Sequence, residues 1–414
     1  MTLFERSYGV WLHRTFVGTL YQRGDYTRFS LHPSYTEDPA RPVLGLVFEQ
    51  DLDRVHAAAL RLPPWFSNLL PEGLQRSWIA RQRDVSEQRE MELLGEVGGD
   101  LPGAVTVLPI PGNLVGGTVE VLPTPQVAPA LDEGVDPRGR FSLAGVQLKL
   151  SMVAAGDRLV IPMGGTLGDW IVKFPDAALP RLPLVEFVTM ELARAIGIQV
   201  PETRLMSRAD LPDTPSSLWA PSEDEAYAIK RFDRGPDRSL IHIEDFAQVR
   251  DIYPSPADFK YRGSYEGLAT LVYRGWDEVS LRELVRRLVF NVLVDNSDAH
   301  LKNFSLLYAD PRRPVLSPAY DLVSVAPYSG FGGETALSLN GTRRAEHLRV
   351  RNFERLNVHG ALPKGDAVHL AEETVAAVVQ AWPALAERYL IDAPGLFLAM
   401  QEVIQRRAAS LLAR

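Results

Sequence analysis

Apolar and polar positions alternate through the first fifty residues. Residues 8–21 and 26–31 follow the period of two of half-buried strands, with Arg23-Gly24-Asp25 as the turn. Helical spacing is expected next, over 52–60 and again over the Arg-, Glu- and Gln-rich stretch 75–94. Between them, Trp65-Phe66-Ser67-Asn68-Leu69-Leu70-Pro71-Glu72-Gly73 is apolar with a Pro-Gly exit and predicts a buried loop. Residues 122–140 hold Pro123, Pro125 and Pro129 and then a polar, glycine-containing run, the composition of a linker.

Strand signals return over 141–153, 159–162 and 170–174. An amphipathic helix follows over 184–196, with Gly197 as its stop, and then a strand over 227–232. Beyond Ser239 the pattern is almost wholly helical. Ser280 and Glu283 have capping-box spacing before Leu-Arg-Glu-Leu-Val-Arg-Arg-Leu-Val-Phe. Asp366 is expected to cap a helix that ends at Pro383, and a last helix should run over 394–412. The chain therefore reads as an α+β protein in three parts. These are a β-rich accessory domain (1–121) with its linker (122–140), a mixed lobe (141–238) and a mostly helical lobe (239–414).

Composition narrows the chemistry. A chain of 414 residues, 46% hydrophobic and 23% charged, can bury a large core without staples. It has no cysteine, which excludes disulfides, thiolate metal sites and thiol nucleophiles and fits a reducing cytosol. No apolar run reaches the roughly 18 residues of a membrane span. The start contains Glu5 and no apolar core, so neither a secretory leader nor a membrane partner is expected, and the expected location is cytoplasmic. The net charge of −8 argues against direct binding to duplex DNA. Only six of the 44 basic residues are lysines, so each lysine invites inspection.

The most informative stretch is Asn296-Ser297-Asp298-Ala299-His300-Leu301-Lys302-Asn303-Phe304-Ser305. Asp298 and Asn303 stand five apart, the spacing of a carboxylate that orients an attacking hydroxyl and an amide oxygen that holds Mg²⁺. Asp321 follows a second strand-like segment and could supply a further hard oxygen ligand. The alternatives are a helix cap for Asp298 and a turn cap for Asp321. Upstream, Ala144 and Gly145 allow close backbone approach, while Ser142, Gln147 and Lys149 can donate to phosphate oxygens; the alternative is a hairpin with Lys149 exposed. Lys173 sits inside the apolar strand Trp170-Ile171-Val172-Lys173-Phe174, where a buried ammonium needs a partner such as Glu186 in the first turn of the next helix. Otherwise it blunts a sheet edge. The eight histidines show no metal spacing, and His300 is expected to brace its loop. Gly164, Gly165 and Gly168 suggest a turn, and Arg286 and Arg287 a solvated helix face.

Taken together, these motifs resemble the HipA family of bacterial serine/threonine kinases, the toxin halves of toxin–antitoxin pairs. The resemblance runs through VWLHRTFVGTL, FSNLLPEG, FSLAGVQLKLS, WIVKFP, YAIKRFDR, IHIEDFAQ, SYEGLATL, NSDAHLKNFSLL and AYDLVS. It implies a two-lobed, protein-kinase-like fold with an N-terminal β-rich module, and ATP and Mg²⁺ as co-substrate and metal. By motif, Asp298 looks like the catalytic base, and Asn303 and Asp321 like metal ligands. Lys173, paired to Glu186, looks like the ATP-phosphate lysine. The segment with Ser142, Ala144, Gly145, Val146, Gln147 and Lys149 looks like the phosphate loop, and Ser142 matches an autophosphorylated serine that silences such kinases. Lys230 and Phe232 fall at the adenine hinge, while His300 and Lys302 lie in the catalytic loop. Lys230 departs from the family, which usually has an acidic residue there.

The resemblance also implies a helix-turn-helix antitoxin partner, through which alone DNA would be met, and a protein substrate such as an aminoacyl-tRNA synthetase. Two rivals share these residues. A small-molecule phosphotransferase would label only a metabolite. A non-catalytic corepressor of the antitoxin would bind no Mg-ATP.

Overall fold

The computed structural model describes residues 5–110, 148–162, 167–254 and 261–413. The expected linker, the segment with Ser142, Ala144, Gly145, Val146 and Gln147, and Gly164 and Gly165 lie outside the described residues.

The first part is an antiparallel sheet of β1 (Glu5–Leu12), β2 (Thr15–Arg23), β3 (Tyr26–Leu31), β4 (His56–Ala59) and β5 (Val105–Pro109), in the order β4-β3-β2-β1-β5. Residues 8–21 form two strands rather than one, because His13 takes a left-handed conformation (φ 54°) and turns the chain. The helix expected over 52–60 is absent. His56 to Ala59 pair instead with Phe29 to Tyr26, so tertiary pairing overrides alanine's helical preference. Four helices cover the sheet: α1 (Pro33–Thr36), α2 (Pro64–Ser67), α3 (Gly73–Arg83) and α4 (Glu90–Val97). The single helix expected over 75–94 is split after α3, where Asp84 is left-handed. Trp65, Phe66, Leu69 and Leu70 are fully buried, as expected of their apolar run, and Phe66 meets Phe29 edge-on at 4.7 Å.

The second part has β6 (Lys149–Ala155), β7 (Arg158–Val160), β8 (Trp170–Lys173), helix α5 (Leu182–Ala195), β9 (Thr203–Ser207) and β10 (Glu225–Lys230). The sheet order is β7-β6-β8-β10-β9, all antiparallel. The period of two divides its faces. Leu150, Val172, Ala226 and Ala228 pack on one side, while Tyr227 and Ile229 meet α5 on the other. Gly197 (φ 83°) ends the chain's excursion through α5.

The third part is less purely helical than expected. It includes β11 (His242–Asp245), β12 (Ser305–Tyr308) and β13 (Val315–Leu316) as a sheet, and a ribbon of β14 (Glu334–Leu339) and β15 (Thr342–Arg344). Around them lie α6 (Phe246–Val249), α7 (Tyr265–Tyr273), α8 (Glu278–Leu293), α9 (Asp366–Leu390) and α10 (Pro394–Leu412). Asp277, not Ser280, caps α8, accepting from the Ser280 amide at 2.9 Å. Arg287 is not solvated: it is 2% exposed and paired to Glu283 at 2.9 Å. Helix α9 does not stop at Pro383. Trp382, Ala386 and Leu390 are buried on both sides of the proline, and that packing outweighs one lost hydrogen bond. One core joins α5 to α8, α9 and α10, so the second and third parts face each other across a cleft.

Candidate active site

The cleft encloses about 580 Å³ and gathers residues from all three parts. Its upper wall is the face of β6 and β8. Lys149 and Lys173 are paired in register on neighbouring strands, and both are buried. Lys173 Nζ donates to Glu186 Oε1 and to Asp321 Oδ1. Glu186 lies just past the first turn of α5, half a turn later than expected. Burial works against the Lys173 ammonium, but the Asp321 and Glu186 carboxylates beside it raise its pKa overall. Burial likewise pushes Asp321 up, yet Lys173 and Lys149 outweigh it and hold the carboxyl down at about 2. For Glu186 burial wins, and its pKa is raised. Lys149 makes no ion pair within the described residues; burial pushes it down to about 8.

The opposite wall is the loop after α8. His300 N–H donates to the Asp298 carbonyl at 2.7 Å, and Asn303 Nδ2 donates to the same carbonyl at 2.8 Å. Asn296 Oδ1 accepts from the Asp298 amide at 3.2 Å, and Asn296 Nδ2 donates to Asn291 at 3.0 Å. These bonds fix the loop with the Asp298 side chain 52% exposed at the cleft. The His300 imidazole is buried, with Nε2 3.8 Å from Asp298 Oδ1, beyond hydrogen-bond distance. Asp321 is held left-handed (φ 55°), and its carbonyl accepts from Asn296 at 3.5 Å. Asn303 and Asp321 both line the cleft. Asn303 uses its amide nitrogen on Asp298, leaving an oxygen as its acceptor end, and Asp321 is held anionic. This donor set fits a hard ion such as Mg²⁺ that takes its remaining ligands from phosphate and water.

Lys230 and Phe232 lie at the rim, where β10 leaves the sheet. Lys230 is exposed and 3.7 Å from Glu202, and Phe232 packs on Tyr320 at 5.4 Å. Lys302 lines the cleft but commits its ammonium elsewhere. It pairs with Glu72 at 2.7 Å and donates to the Asn68 carbonyl at 3.1 Å, which ties the loop to the N-terminal part. Sequence reasoning missed Glu72, although FSNLLPEG carries it, and missed Tyr261, whose hydroxyl donates to Asp298 Oδ1. No local motif marks Tyr261.

The N-terminal part is bonded firmly beside the cleft. Arg231 and Arg234, just after β10, pair with Asp233 and with Asp100 of the N-terminal part at 2.7–3.4 Å, all four buried. Glu244 of β11 accepts from the Leu46 amide at 3.1 Å, from Trp65 Nε1 at 3.3 Å and from the Tyr308 hydroxyl. Gly45 is required there: a Cβ would collide with the Trp65 indole nitrogen.

A two-lobed α+β fold, with a strand lysine paired to a helix glutamate above an Asp-x4-Asn loop and a following aspartate, defines a protein-kinase-like phosphotransferase. Comparison with known proteins agrees. The HipA-like C-terminal domain matches residues 141–382, and the HipA N-terminal domain matches residues 8–108. A Sinorhizobium fredii protein named "Putative kinase Y4dM" is 38% identical over 366 residues, 86% of each chain. The serine/threonine-protein kinase toxin HipA of Shewanella oneidensis is 26% identical over 298 residues, covering 66% of this chain and 65% of that one. The solved complex of Shewanella oneidensis HipA with HipB and operator DNA is similar over 97% of both chains, with a TM-score of 0.71 and 21% identity. The chain belongs to the HipA family of kinases.

Proposed function

We propose that this protein is an ATP- and Mg²⁺-dependent serine/threonine protein kinase that restrains growth as the toxin of a toxin–antitoxin pair. The observation that carries the reading is the convergence of Lys173–Glu186 and Asp321 with Asp298 and Asn303 across one cleft. Lys173, aligned by Glu186, holds the nucleotide phosphates, and Lys149 adds a second ammonium on the same face. Ile171, Ile229 and Phe232 offer an apolar flank for the base. Asp298 accepts a hydrogen bond from the acceptor hydroxyl and takes its proton. The new O–P bond forms as the bridging bond to ADP breaks. Asn303 and Asp321 would hold Mg²⁺, which when bound neutralises charge on the phosphates. Rate enhancement then comes from positioning and electrostatics.

Ser142 is proposed as a site of self-inactivating phosphorylation, since about two negative charges placed near the ATP phosphates repel nucleotide. A helix-turn-helix antitoxin is the proposed partner and supplies the DNA contact. The Shewanella complex with HipB and operator DNA supports that assignment. A cytoplasmic translation protein, such as an aminoacyl-tRNA synthetase, is the proposed substrate. No helix among the described residues is long and apolar enough to cross a membrane.

The test is transfer from γ-labelled ATP in a cell lysate, followed by phosphopeptide mass spectrometry, with Asp298→Asn beside the wild type. Labelled serine or threonine in protein, lost by at least about a hundredfold in the variant, is expected. Label found only in a metabolite, or equal label in the variant, would overturn the reading.

A further inference from the structure

One contact in the cleft has no part in that phosphotransfer scheme. Tyr261 precedes α7, and its hydroxyl donates to Asp298 Oδ1. Its ring stands edge-on to the buried His300 imidazole, with centroids 5.2 Å apart at 77°. His300 Nε2 is 3.8 Å from the same Oδ1. Tyr261, His300 and Asp298 line the cleft together with Asn303, Asp321 and Lys173.

An O–H donor on a carboxylate makes a strong, short, charge-assisted bond. It is the same bond that a serine or threonine acceptor must make to a catalytic base before transfer. We propose that the Tyr261 hydroxyl is a built-in stand-in for the acceptor, holding Asp298 Oδ1 until a protein hydroxyl displaces it. The proposal rests on Asp298 being the base. Burial and the neighbouring Asp298 both raise the phenol's pKa, so it stays protonated and remains a donor rather than surrendering its proton to the carboxylate.

Two consequences follow from competition for one oxygen. An incoming acceptor meets a base already engaged, so its apparent affinity is reduced by the fraction of molecules in which Asp298 is free. Water meets the same barrier, so hydrolysis of ATP without an acceptor is suppressed. In that side reaction water would add to the γ-phosphorus, its proton would pass to Asp298, and ADP and phosphate would leave.

The test compares Tyr261→Phe with wild type, because phenylalanine keeps the ring and its contact with His300 and removes only the competing hydroxyl. Two rates are measured in the full chain: acceptor-free ATP hydrolysis, and transfer to dephosphorylated casein as a generic serine/threonine acceptor. Hydrolysis should rise by about three- to tenfold and the KM for casein should fall by a similar factor, with kcat changed by less than about twofold. Unchanged hydrolysis would overturn the proposal, as would a fall in kcat with no gain in KM; the latter would make Tyr261 a support of the base. The hydrolysis arm does not depend on the acceptor chosen. Tyr261→Leu, which removes the ring as well, should raise hydrolysis in the same direction. Asp298→Asn must abolish both rates. If transfer survives in Asp298→Asn, the assignment of the base fails, a result separate from anything Tyr261→Phe shows.

Discussion

Lys149 and Lys173 face each other across one strand pair, yet their surroundings treat them in opposite ways. Lys173 has two carboxylates and is held charged. Lys149 is desolvated without an ion pair among the described residues and is pushed down to about 8. An unfolded lysine titrates near 10.4. Below pH 8 both states carry the proton, so the folded state bears the full cost of burying a charge. Between 8 and 10.4 the folded state loses its proton first, and stability rises with pH. Lys149→Met should therefore stabilise the protein at pH 7, by up to about 3 kcal/mol. Thermal unfolding should show that gain shrinking as pH rises through 8 towards 10.4, while nucleotide affinity falls. A destabilised variant at pH 7 would count against this account. The Lys173–Glu186 pair was legible in the sequence, because a lysine inside an apolar strand demands a partner and the next helix offers one. The third member, Asp321, is 148 residues from Lys173, and Tyr261 is 37 from Asp298; no local pattern encodes either contact.

Among the elements, β11 is the clearest case of a strand tied to another part of the chain. Glu244 on it is wholly buried, and burial raises its pKa to about 7 in spite of the Tyr308, Leu46 and Trp65 donors. Its folded pKa lies above the usual value of about 4.3, so the stability linked to it is fully present below pH 4 and is lost as pH rises through 7. Asp245, raised to about 6, adds to the lower part of that window. The buried His242, pushed down to about 4, opposes this as pH rises to about 6.5, so the slope of the unfolding midpoints between pH 4 and 8 should shift upward in Glu244→Gln relative to wild type. An unchanged slope in the variant would assign the effect elsewhere. Strands and helices with a clean period, such as β10 and α10, were readable from sequence. The errors came where packing overrode local preference: alanines in β4, a proline inside α9, and a cap supplied by Asp277 rather than Ser280.

For the molecule as a whole, the order of β-rich part, mixed lobe and helical lobe was visible in the residue pattern, but the bonding between them was not. It depends on buried charges that look ordinary in the sequence: Asp100, Arg231, Asp233, Arg234, Glu72 and Lys302. Stripping residues 1–110 would leave several of these unpaired. Each broken buried pair costs about 3–5 kcal/mol, against a total stability of about 5–15 kcal/mol. A fragment of residues 141–414 should accordingly be insoluble or unfold without cooperativity, as sedimentation and circular dichroism would show. A soluble fragment with a sharp transition would refute this. The same bonds have a consequence for the order of events at the ribosome. Lys302 reaches back 234 residues to Asn68, and Glu244 reaches back 198 to Leu46. At about 5–20 residues per second, the first part emerges on the order of ten to fifty seconds before the loop that clamps it. Its acceptors wait in water through that interval, and the loop bearing Asp298 gains its lysine clamp only late in synthesis. The cleft of a nascent chain is thus incomplete until translation has passed Asp321.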